Sequence, residues 1–340
     1  PLDSALTLEL QPKIALGNLF RMLEYAYRID KNSLKFPKGL IESDSLQDYF
    51  ESLAHTLAKK VLYRARQGLY RTYLSQTRDL RYVRGRLDIR HHARSPWNIN
   101  LRCHYADHTG DVAENQILAW TLFLVARSPL RDRQIAADVR RAYRSIVGVA
   151  SLRPHDASAC IGRLYHRLNE DYEPLHALCR FFLDNTGPSR YLGDRKMLPF
   201  LVDMARLFEL FVAEWLTQNL PRPYEVRTQH KVTVDTRSNL SFKIDLVLFD
   251  RELGDEVCVL DTKYKDHLQP NTTDFSQVVT YAVSQKCTRA ALIYPQELPN
   301  AFHASIGEID VRALPFPVGG DVQLAGETFM KGLLSWVRSF

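Results

Sequence analysis

The sequence predicts a mixed α+β protein, with a mainly helical N-terminal domain that carries a β-rich insertion and a C-terminal α/β domain with a central mixed sheet. Three observations support this class. Apolar residues recur at helical spacing in the first half, strand-like runs join helical ones in the second, and 340 residues exceed the usual size of one hydrophobic core. We therefore expect two domains, 1–190 and 196–340, separated by loop-forming residues between Asn185 and Arg195.

The N-terminal half is predicted to contain amphipathic helices interrupted by one β-rich stretch. Apolar spacing predicts helices over Ile14–Ile29, Leu46–Gln67, Ala113–Ala126, Val139–Val147 and Tyr172–Leu183. The stretch 69–103, in contrast, contains residues that suggest strands, including Val83, Leu87 and Ile89. We interpret this stretch as a β-rich, basic insertion between helices.

The C-terminal half is predicted to follow the order α-β-β-β-α-β. The predicted helices are Phe200–Leu216 and Asp274–Ser284, and the predicted strands are Tyr224–Val234, Phe242–Phe249, Val257–Lys263 and Ala290–Tyr294. A further strand at Val311–Leu314 and a closing helix at Glu327–Val337 complete the domain. This order predicts a mixed sheet covered by helices.

Composition narrows the class of protein. Hydrophobic content of 45% and charged content of 25% are typical of a soluble globular chain. No apolar run approaches the roughly 18 residues that span a membrane, so we expect a cytoplasmic protein with no membrane partner. The five cysteines are widely spaced without a C-x-x-C pair, which predicts buried cytosolic thiols rather than disulfides or a structural zinc site.

Charge is distributed unevenly along the chain. Residues 1–199 contain 31 Lys and Arg against 21 Asp and Glu, whereas residues 200–340 contain 14 against 18. Between Lys59 and Arg94, eleven basic residues stand against two acidic ones. Such a concentration can attract phosphate backbones. A solvated basic face, or a surface that docks onto an acidic partner, explains it equally well.

Two aspartates and a lysine on neighbouring predicted strands are the strongest chemical signal. Asp261 and Lys263 alternate along one strand and so share a face, and Asp245 on the preceding strand can reach them if the hairpin register permits. Gathering these carboxylates is costly unless a cation is bound between them. Hard oxygen ligands suit Mg²⁺, which completes its shell with water and substrate phosphate.

These residues predict a magnesium-dependent nuclease site. Asp245 and Asp261 are the predicted metal ligands, and Lys263 orients or deprotonates the attacking water, or stabilises the charge on phosphorus. Glu209, in the preceding predicted helix, can join the metal shell or position Lys263; the alternative is a glutamate that reaches solvent. Gln277 and Tyr281 share a helix face and can reach phosphate or the lysine, or serve in packing and capping.

The whole set resembles the PD-(D/E)xK nuclease superfamily, and the Gln277-x-x-x-Tyr281 helix is similar to its RecB-like branch. Ile244 replaces the proline of the superfamily's Pro-Asp element. More specifically, the chain resembles the McrC family, the nuclease subunits of McrBC modification-dependent (5-methylcytosine) restriction systems. The matching blocks are Pro12-Lys13-Ile14, Asn18-Leu19, Met22-Leu23-Glu24-Tyr25-Ala26, Val83-Arg84-Gly85-Arg86-Leu87, Asp111 to Leu118 with Glu114-Asn115, Leu207-Phe208-Glu209, Val259 to Lys265, Gln277 to Tyr281 and Leu292-Ile293-Tyr294-Pro295.

This resemblance implies a specific division of labour. Residues 196–340 would be a PD-(D/E)xK, restriction-endonuclease-like domain that uses Mg²⁺, with Mn²⁺ as a substitute, and residues 1–190 a partner-docking domain. The implied partners are an McrB-like hexameric AAA+ GTPase, which binds the GTP, and double-stranded DNA carrying modified cytosine. The chain itself has no G-x-x-x-x-G-K-[ST] loop. Residues 69–103 are the candidate docking projection, with Arg81, Arg84 and Arg86 as either partner contacts or solvated surface.

Two other hypotheses remain beside a restriction subunit. A stand-alone RecB-like DNA nuclease is one, but such an enzyme does not need the large basic helical half. A non-catalytic activator of an AAA+ ring is the other, and the intact Asp245, Asp261 and Lys263 argue against it.

Overall fold

The computed structural model of the chain describes residues 14–29, 45–185, 202–235, 240–265 and 270–338. The chain divides into two compact units: unit 1 contains residues 1–30, 41–46 and 202–340, and unit 2 contains residues 31–40 and 47–201. Helix α1 (Leu16–Ala26) therefore belongs with the C-terminal residues. The division differs in this respect from the predicted ranges 1–190 and 196–340, which placed that helix in the N-terminal domain.

Unit 2 is a helical core that carries a three-stranded sheet. Its elements are α2 (Leu46–Gln67), β1 (Thr72–Leu80), β2 (Arg86–Leu87), α3 (Ile89–Arg94), β3 (Leu101–Thr109), α4 (Ala113–Arg127), α5 (Arg133–Val147) and α6 (Tyr172–Asn185). The strand order is β1-β3-β2, and β3 is antiparallel to both neighbours. The predicted β-rich stretch forms this sheet.

The sheet of unit 2 departs from the prediction in two places. Strand β3 extends to Thr109, beyond the predicted end of the insertion at residue 103. Ile89, predicted in a strand, instead begins α3, because the Asp88 carboxylate accepts a hydrogen bond from the backbone N–H of His91 (3.0 Å) and caps that helix.

A buried polar network fixes the base of this sheet to the helices. The Tyr172 hydroxyl on α6 donates to Oδ1 of Asn115 on α4 (2.7 Å). The Asn115 amide donates in turn to the carbonyls of Tyr70 (2.8 Å) and Gly110 (2.7 Å), which flank β1 and β3. Because these polar groups are satisfied by one another, the network holds the two strands at a defined position on the helical core.

Unit 1 is built around a mixed sheet, as predicted, and the sheet has six strands, one more than the sequence indicated. After α1 it contains α7 (Met204–Asn219), β4 (Tyr224–Asp235), β5 (Leu240–Asp250), β6 (Asp255–Thr262), α8 (Thr272–Ser284), β7 (Arg289–Tyr294), β8 (His303–Ile306), β9 (Ile309–Pro315) and α9 (Val322–Val337). The strand order is β4-β5-β6-β7-β9-β8. Strands β4, β5 and β6 are antiparallel, whereas β6, β7 and β9 run parallel.

Apolar runs explain the centre of this sheet. Residues 258–260 of β6 and 290–294 of β7 are buried without alternation, as expected for parallel strands covered on both faces. Helix α8 connects these two parallel strands and packs Val278 and Tyr281 against Val259 and Leu292. Helix α1 packs against α7.

Several predicted features lie at or beyond the limits of the described residues. The predicted boundary loop, apart from Asn185, falls outside them, as do Phe200 and the Pro12-Lys13 pair. Four of the five thiols are buried, as predicted, and Cys160 is half-buried. Within the described ranges, no helix is both long and apolar enough to cross a membrane.

Candidate active site

The register of β5 and β6 brings the two predicted aspartates together. Val247 pairs with Val259 across this antiparallel ladder. Continuing the same register by two residues places Asp245 opposite Asp261, with both side chains on one face of the sheet. The condition on which the predicted site depended is therefore met.

Asp261 is a buried carboxylate with few compensating contacts. Its side chain is 1% exposed, and its Oδ2 lies 2.7 Å from Nζ of Lys263. Neither carboxylate oxygen accepts a well-aligned hydrogen bond from the described residues. Burial raises the pKa of Asp261 to about 7, since it outweighs the attraction of Lys263, and the charge of Asp245 adds to the rise.

Lys263 is held by strand β7 through its backbone and by helix α8 through its side chain. Its backbone N–H donates to the carbonyl of Ile293 (2.8 Å), so the β6–β7 ladder continues to this residue. Its ammonium donates to Oε1 of Gln277 (3.0 Å), and the Gln277 amide donates to the Tyr281 hydroxyl (2.7 Å). Gln277 and Tyr281, predicted to reach phosphate or the lysine, thus form a chain that ends on the lysine.

The charge state of Lys263 follows from its neighbours. Burial alone would lower the pKa of Lys263, but the charge of Asp261, followed by those of Asp274 and Asp245, outweighs burial and raises it. The side chain is therefore an ammonium at neutral pH. It can donate hydrogen bonds and stabilise negative charge, but it cannot accept a proton from water.

Asp245 and Glu209 occupy the neighbouring part of the site. Oδ2 of Asp245 accepts hydrogen bonds from the backbone N–H and the hydroxyl of Thr262, both at 3.2 Å. Glu209 on α7 is partly buried and accepts a hydrogen bond from the Gln229 amide (3.4 Å). Burial raises the pKa of Glu209, and the charge of Asp245 raises it further, so Glu209 lies within electrostatic range of Asp245 rather than reaching freely into solvent.

The donor set fits a divalent cation held by two aspartates. Asp261 provides a buried carboxylate whose Oδ2 contacts the Lys263 ammonium and whose Oδ1 has no hydrogen-bond partner among the described residues, and Asp245 stands opposite it. Catalytic Mg²⁺ commonly takes only one or two protein carboxylates. Among the described residues, no three His, Cys, Asp or Glu side chains are grouped to hold a metal together. Glu209 therefore does not form a three-ligand site with Asp245 and Asp261 in this structure.

Three residues that the sequence did not single out also belong to the site. Asp274, in the first turn of α8, is 3% exposed and lies 3.8 Å from Nζ of Lys263. Lys265 donates to both oxygens of Asp274, at 2.6 and 2.9 Å. The Tyr294 hydroxyl is buried without a hydrogen-bond partner among the described residues; burial raises its pKa, and Asp274 and Asp261 contribute. The two-residue spacing of Lys265 from Lys263 was the available signal for the first pair.

The predicted docking arginines lie on the sheet of unit 2. Arg81, Arg84 and Arg86 are all exposed. The Arg84 guanidinium pairs with Asp107 (2.8 Å) and stacks over the ring of Tyr105 (4.1 Å from its centroid), so it is engaged within the sheet. The hydrogen bond that the Arg84 guanidinium donates to Asp107 holds the pKa of Arg84 above its ordinary value.

Known proteins resemble this chain over most of its length. A type IV methyl-directed restriction enzyme of Escherichia coli K12, EcoKMcrBC, is 23% identical over 270 residues, which cover 75% of this chain and 74% of that protein. A structure of Thermococcus gammatolerans McrB AAA+ hexamers with bound McrC matches with a TM-score of 0.52 and 19% identity, covering 94% of this chain and 76% of the other. At that identity the likeness shows the fold.

The family comparison is more specific than either of these relatives. The McrBC family model, described as a 5-methylcytosine restriction system component, matches residues 2–295 of the chain. This range includes every residue of the candidate active site. The chain therefore belongs to the McrBC 5-methylcytosine restriction system component family.

Proposed function

We propose that this chain is the DNA-cleaving subunit of a modification-dependent restriction complex, with its active site at Asp245, Asp261 and Lys263. The observation that carries the proposal is the buried Asp261 carboxylate, which has one ammonium 2.7 Å from Oδ2 and a second aspartate opposite it. An arrangement this costly to bury is typical of a site built to bind a cation and an anionic substrate.

The residues of the site divide the chemistry among them. Asp245 and Asp261 would hold Mg²⁺ or Mn²⁺, which when bound neutralises the scissile phosphate and polarises water. Lys263, held as an ammonium, donates a hydrogen bond to the phosphate oxygens and stabilises the negative charge that builds on them. Gln277 and Tyr281 fix the direction of that ammonium through their hydrogen-bonded chain.

The proposal includes a partner that binds nucleotide. The Thermococcus gammatolerans structure contains McrB AAA+ hexamers with bound McrC. By this likeness we propose that the present chain docks onto a hexameric AAA+ GTPase, which binds GTP and recognises double-stranded DNA carrying methylated cytosine. The sheet of unit 2, with exposed Arg81 and Arg86, is the candidate docking surface.

One variant separates the two parts of this proposal. Asp261→Ala removes a cation ligand from unit 1 and leaves the sheet of unit 2 untouched. We expect it to lower cleavage of methylated plasmid by at least about 100-fold, while the partner's GTP hydrolysis is still stimulated. Both rates are measured in one reaction that contains the chain, an McrB-like AAA+ protein, GTP and Mg²⁺.

The controls decide among the alternatives. Asp255→Ala changes an exposed carboxylate at the start of the same strand and should leave both rates unchanged. Cleavage retained by Asp261→Ala would remove the active-site assignment. A wild-type chain that stimulates GTP hydrolysis but never cuts would be a non-catalytic activator. One that cuts equally without the AAA+ protein would be a stand-alone nuclease.

A further inference from the structure

Asp274 is a buried carboxylate placed between two ammonium groups. It lies in the first turn of α8, and its backbone N–H donates to the side chain of Asn271, which caps the helix (2.8 Å). The Asp274 side chain is itself only 3% exposed. A carboxylate that merely favours the start of a helix is usually solvated, so this burial requires a further explanation.

The contacts of Asp274 supply that explanation. Nζ of Lys265 lies 2.6 Å from Oδ1 and 2.9 Å from Oδ2. The same Oδ1 lies 3.8 Å from Nζ of Lys263. One carboxylate therefore holds two lysines whose like charges would otherwise repel each other across the end of β6.

The position of Lys263 depends on more than Asp261. In the structure its ammonium lies 2.7 Å from Asp261 and 3.0 Å from Gln277. If Asp261 directs its charge to a cation, as the proposed function requires, its hold on the lysine weakens. Asp274 then remains as the negatively charged neighbour of Lys263 that is not one of the two proposed cation ligands.

We propose that Asp274 is a positioning residue of the nuclease centre, which holds the Lys263 ammonium at the phosphate site and keeps Lys265 beside it. This inference rests on the proposed function. Asp274 touches neither substrate nor cation in this account and acts only through the two lysines. Lys265, whose side chain is 40% exposed, is thereby presented towards solvent at the edge of the site, where DNA phosphate can meet it.

The test separates positioning from helix stabilisation. Asp274→Asn keeps the size of the side chain and removes its charge. Adding Thr273→Asp to it returns a negative charge to the first turn of α8 at an exposed position away from the lysines. Each variant is assayed with the AAA+ partner, GTP and Mg²⁺, for the cleavage rate at saturating DNA, for the KM for DNA and for thermal melting.

We expect Asp274→Asn to lower the cleavage rate at saturating DNA by about 10-fold or more, with KM for DNA changed by less than about 3-fold. Thr273→Asp in that background should raise the melting temperature without restoring the rate. Asp274→Asn cleaving at the wild-type rate would overturn the inference. Recovery of both rate and melting temperature in the double variant would also overturn it, since helix stabilisation would then explain both.

A second readout does not depend on cleavage. In ¹⁵N-lysine-labelled protein, the ammonium signals of Lys263 and Lys265, assigned with Lys→Arg variants, should be protected from exchange with water. Lys265, whose ammonium donates to both oxygens of Asp274, should lose that protection in Asp274→Asn and remain unprotected in the double variant, whereas Lys263 keeps its contacts with Asp261 and Gln277. Unchanged protection would contradict the inference even if the wild-type chain never cut DNA, and loss of cleavage in the wild type would count only against the proposed function.

Discussion

Asp261 carries a large electrostatic cost at the centre of unit 1. Its carboxylate is buried in the sheet, and the nearby ammonium of Lys263 does not compensate fully, because the pKa of Asp261 still rises to about 7. The folded protein therefore keeps this proton to a higher pH than the unfolded chain does. Raising the pH from about 4 to about 7 lowers the free energy of unfolding through this group.

This dependence of the free energy of unfolding on pH gives a stability prediction for Asp261→Asn. The amide cannot ionise, so in EDTA the stability of the variant relative to wild type should be greater at about pH 8 than at about pH 4, by up to roughly 4 kcal/mol. Urea unfolding at several pH values measures this, with exposed Asp255→Asn as the matched control. A stability difference between variant and wild type that stays the same across this pH range would show that burial does not raise the pKa of Asp261.

At the residue scale, sequence spacing identified the candidate site residues that belong to a motif. It missed residues that come close to the site only through folding. Asp245, Asp261, Lys263, Gln277 and Tyr281 were predictable because alternation along strands and four-residue spacing on a helix fix their directions. Asp274 could not be predicted as a site residue, because an acidic residue at the start of a helix ordinarily caps the helix or interacts favourably with its dipole. Its burial against two lysines depends on how α8 packs on β6.

At the scale of elements, α9 shows that the sequence pattern predicted the helix but not its first residue. The predicted helix began at Glu327, but α9 begins at Val322, because Asp321 caps it by accepting hydrogen bonds from Gln323 N (2.9 Å) and Leu324 N (3.3 Å). Helix α5 likewise begins at residue 133 rather than 139, behind a capping aspartate. Strand β8 was not predicted, since its four mostly exposed residues show no clear pattern.

Gly326 explains how α9 packs on α7. A Cβ at this position would clash with the indole of Trp215, so the glycine admits the ring. We expect Gly326→Ala to lower the free energy of unfolding by about 1–3 kcal/mol through overpacking. Gly332→Ala on the same helix has open space and should stabilise the protein by up to about 1 kcal/mol. Urea unfolding of both variants compares them, and equal stability would contradict this packing.

At the scale of the whole molecule, the order of elements along the chain did not reveal which elements form each unit. Helix α1 is distant in sequence from α7, yet the two pack together in unit 1, and Tyr25 and Phe211 meet edge to face with ring centroids 5.9 Å apart. Amphipathic spacing predicted that α1 buries one face, but it could not say against which helix. The mixed sheet, by contrast, followed from the order of strands and helices.

The distribution of charge along the chain agrees with the proposal that the chain acts together with a partner. The proposed nuclease centre lies within residues 200–340, which carry more acidic than basic residues, whereas the excess of basic residues lies in residues 1–199. An acidic segment gains little from long-range attraction of DNA. If the proposed function holds, we expect the basic half or the AAA+ partner to deliver DNA to this centre.

The most direct test of the nuclease centre is the cleavage rate of Lys263→Met. Methionine keeps the apolar length of the side chain and removes the ammonium that faces Asp261 and Gln277. With the AAA+ partner, GTP and Mg²⁺, single-turnover cleavage of methylated DNA should fall by about 100-fold or more, while exposed Lys331→Met on α9 cuts at the wild-type rate. Cleavage by Lys263→Met at the wild-type rate would contradict the assignment of this centre.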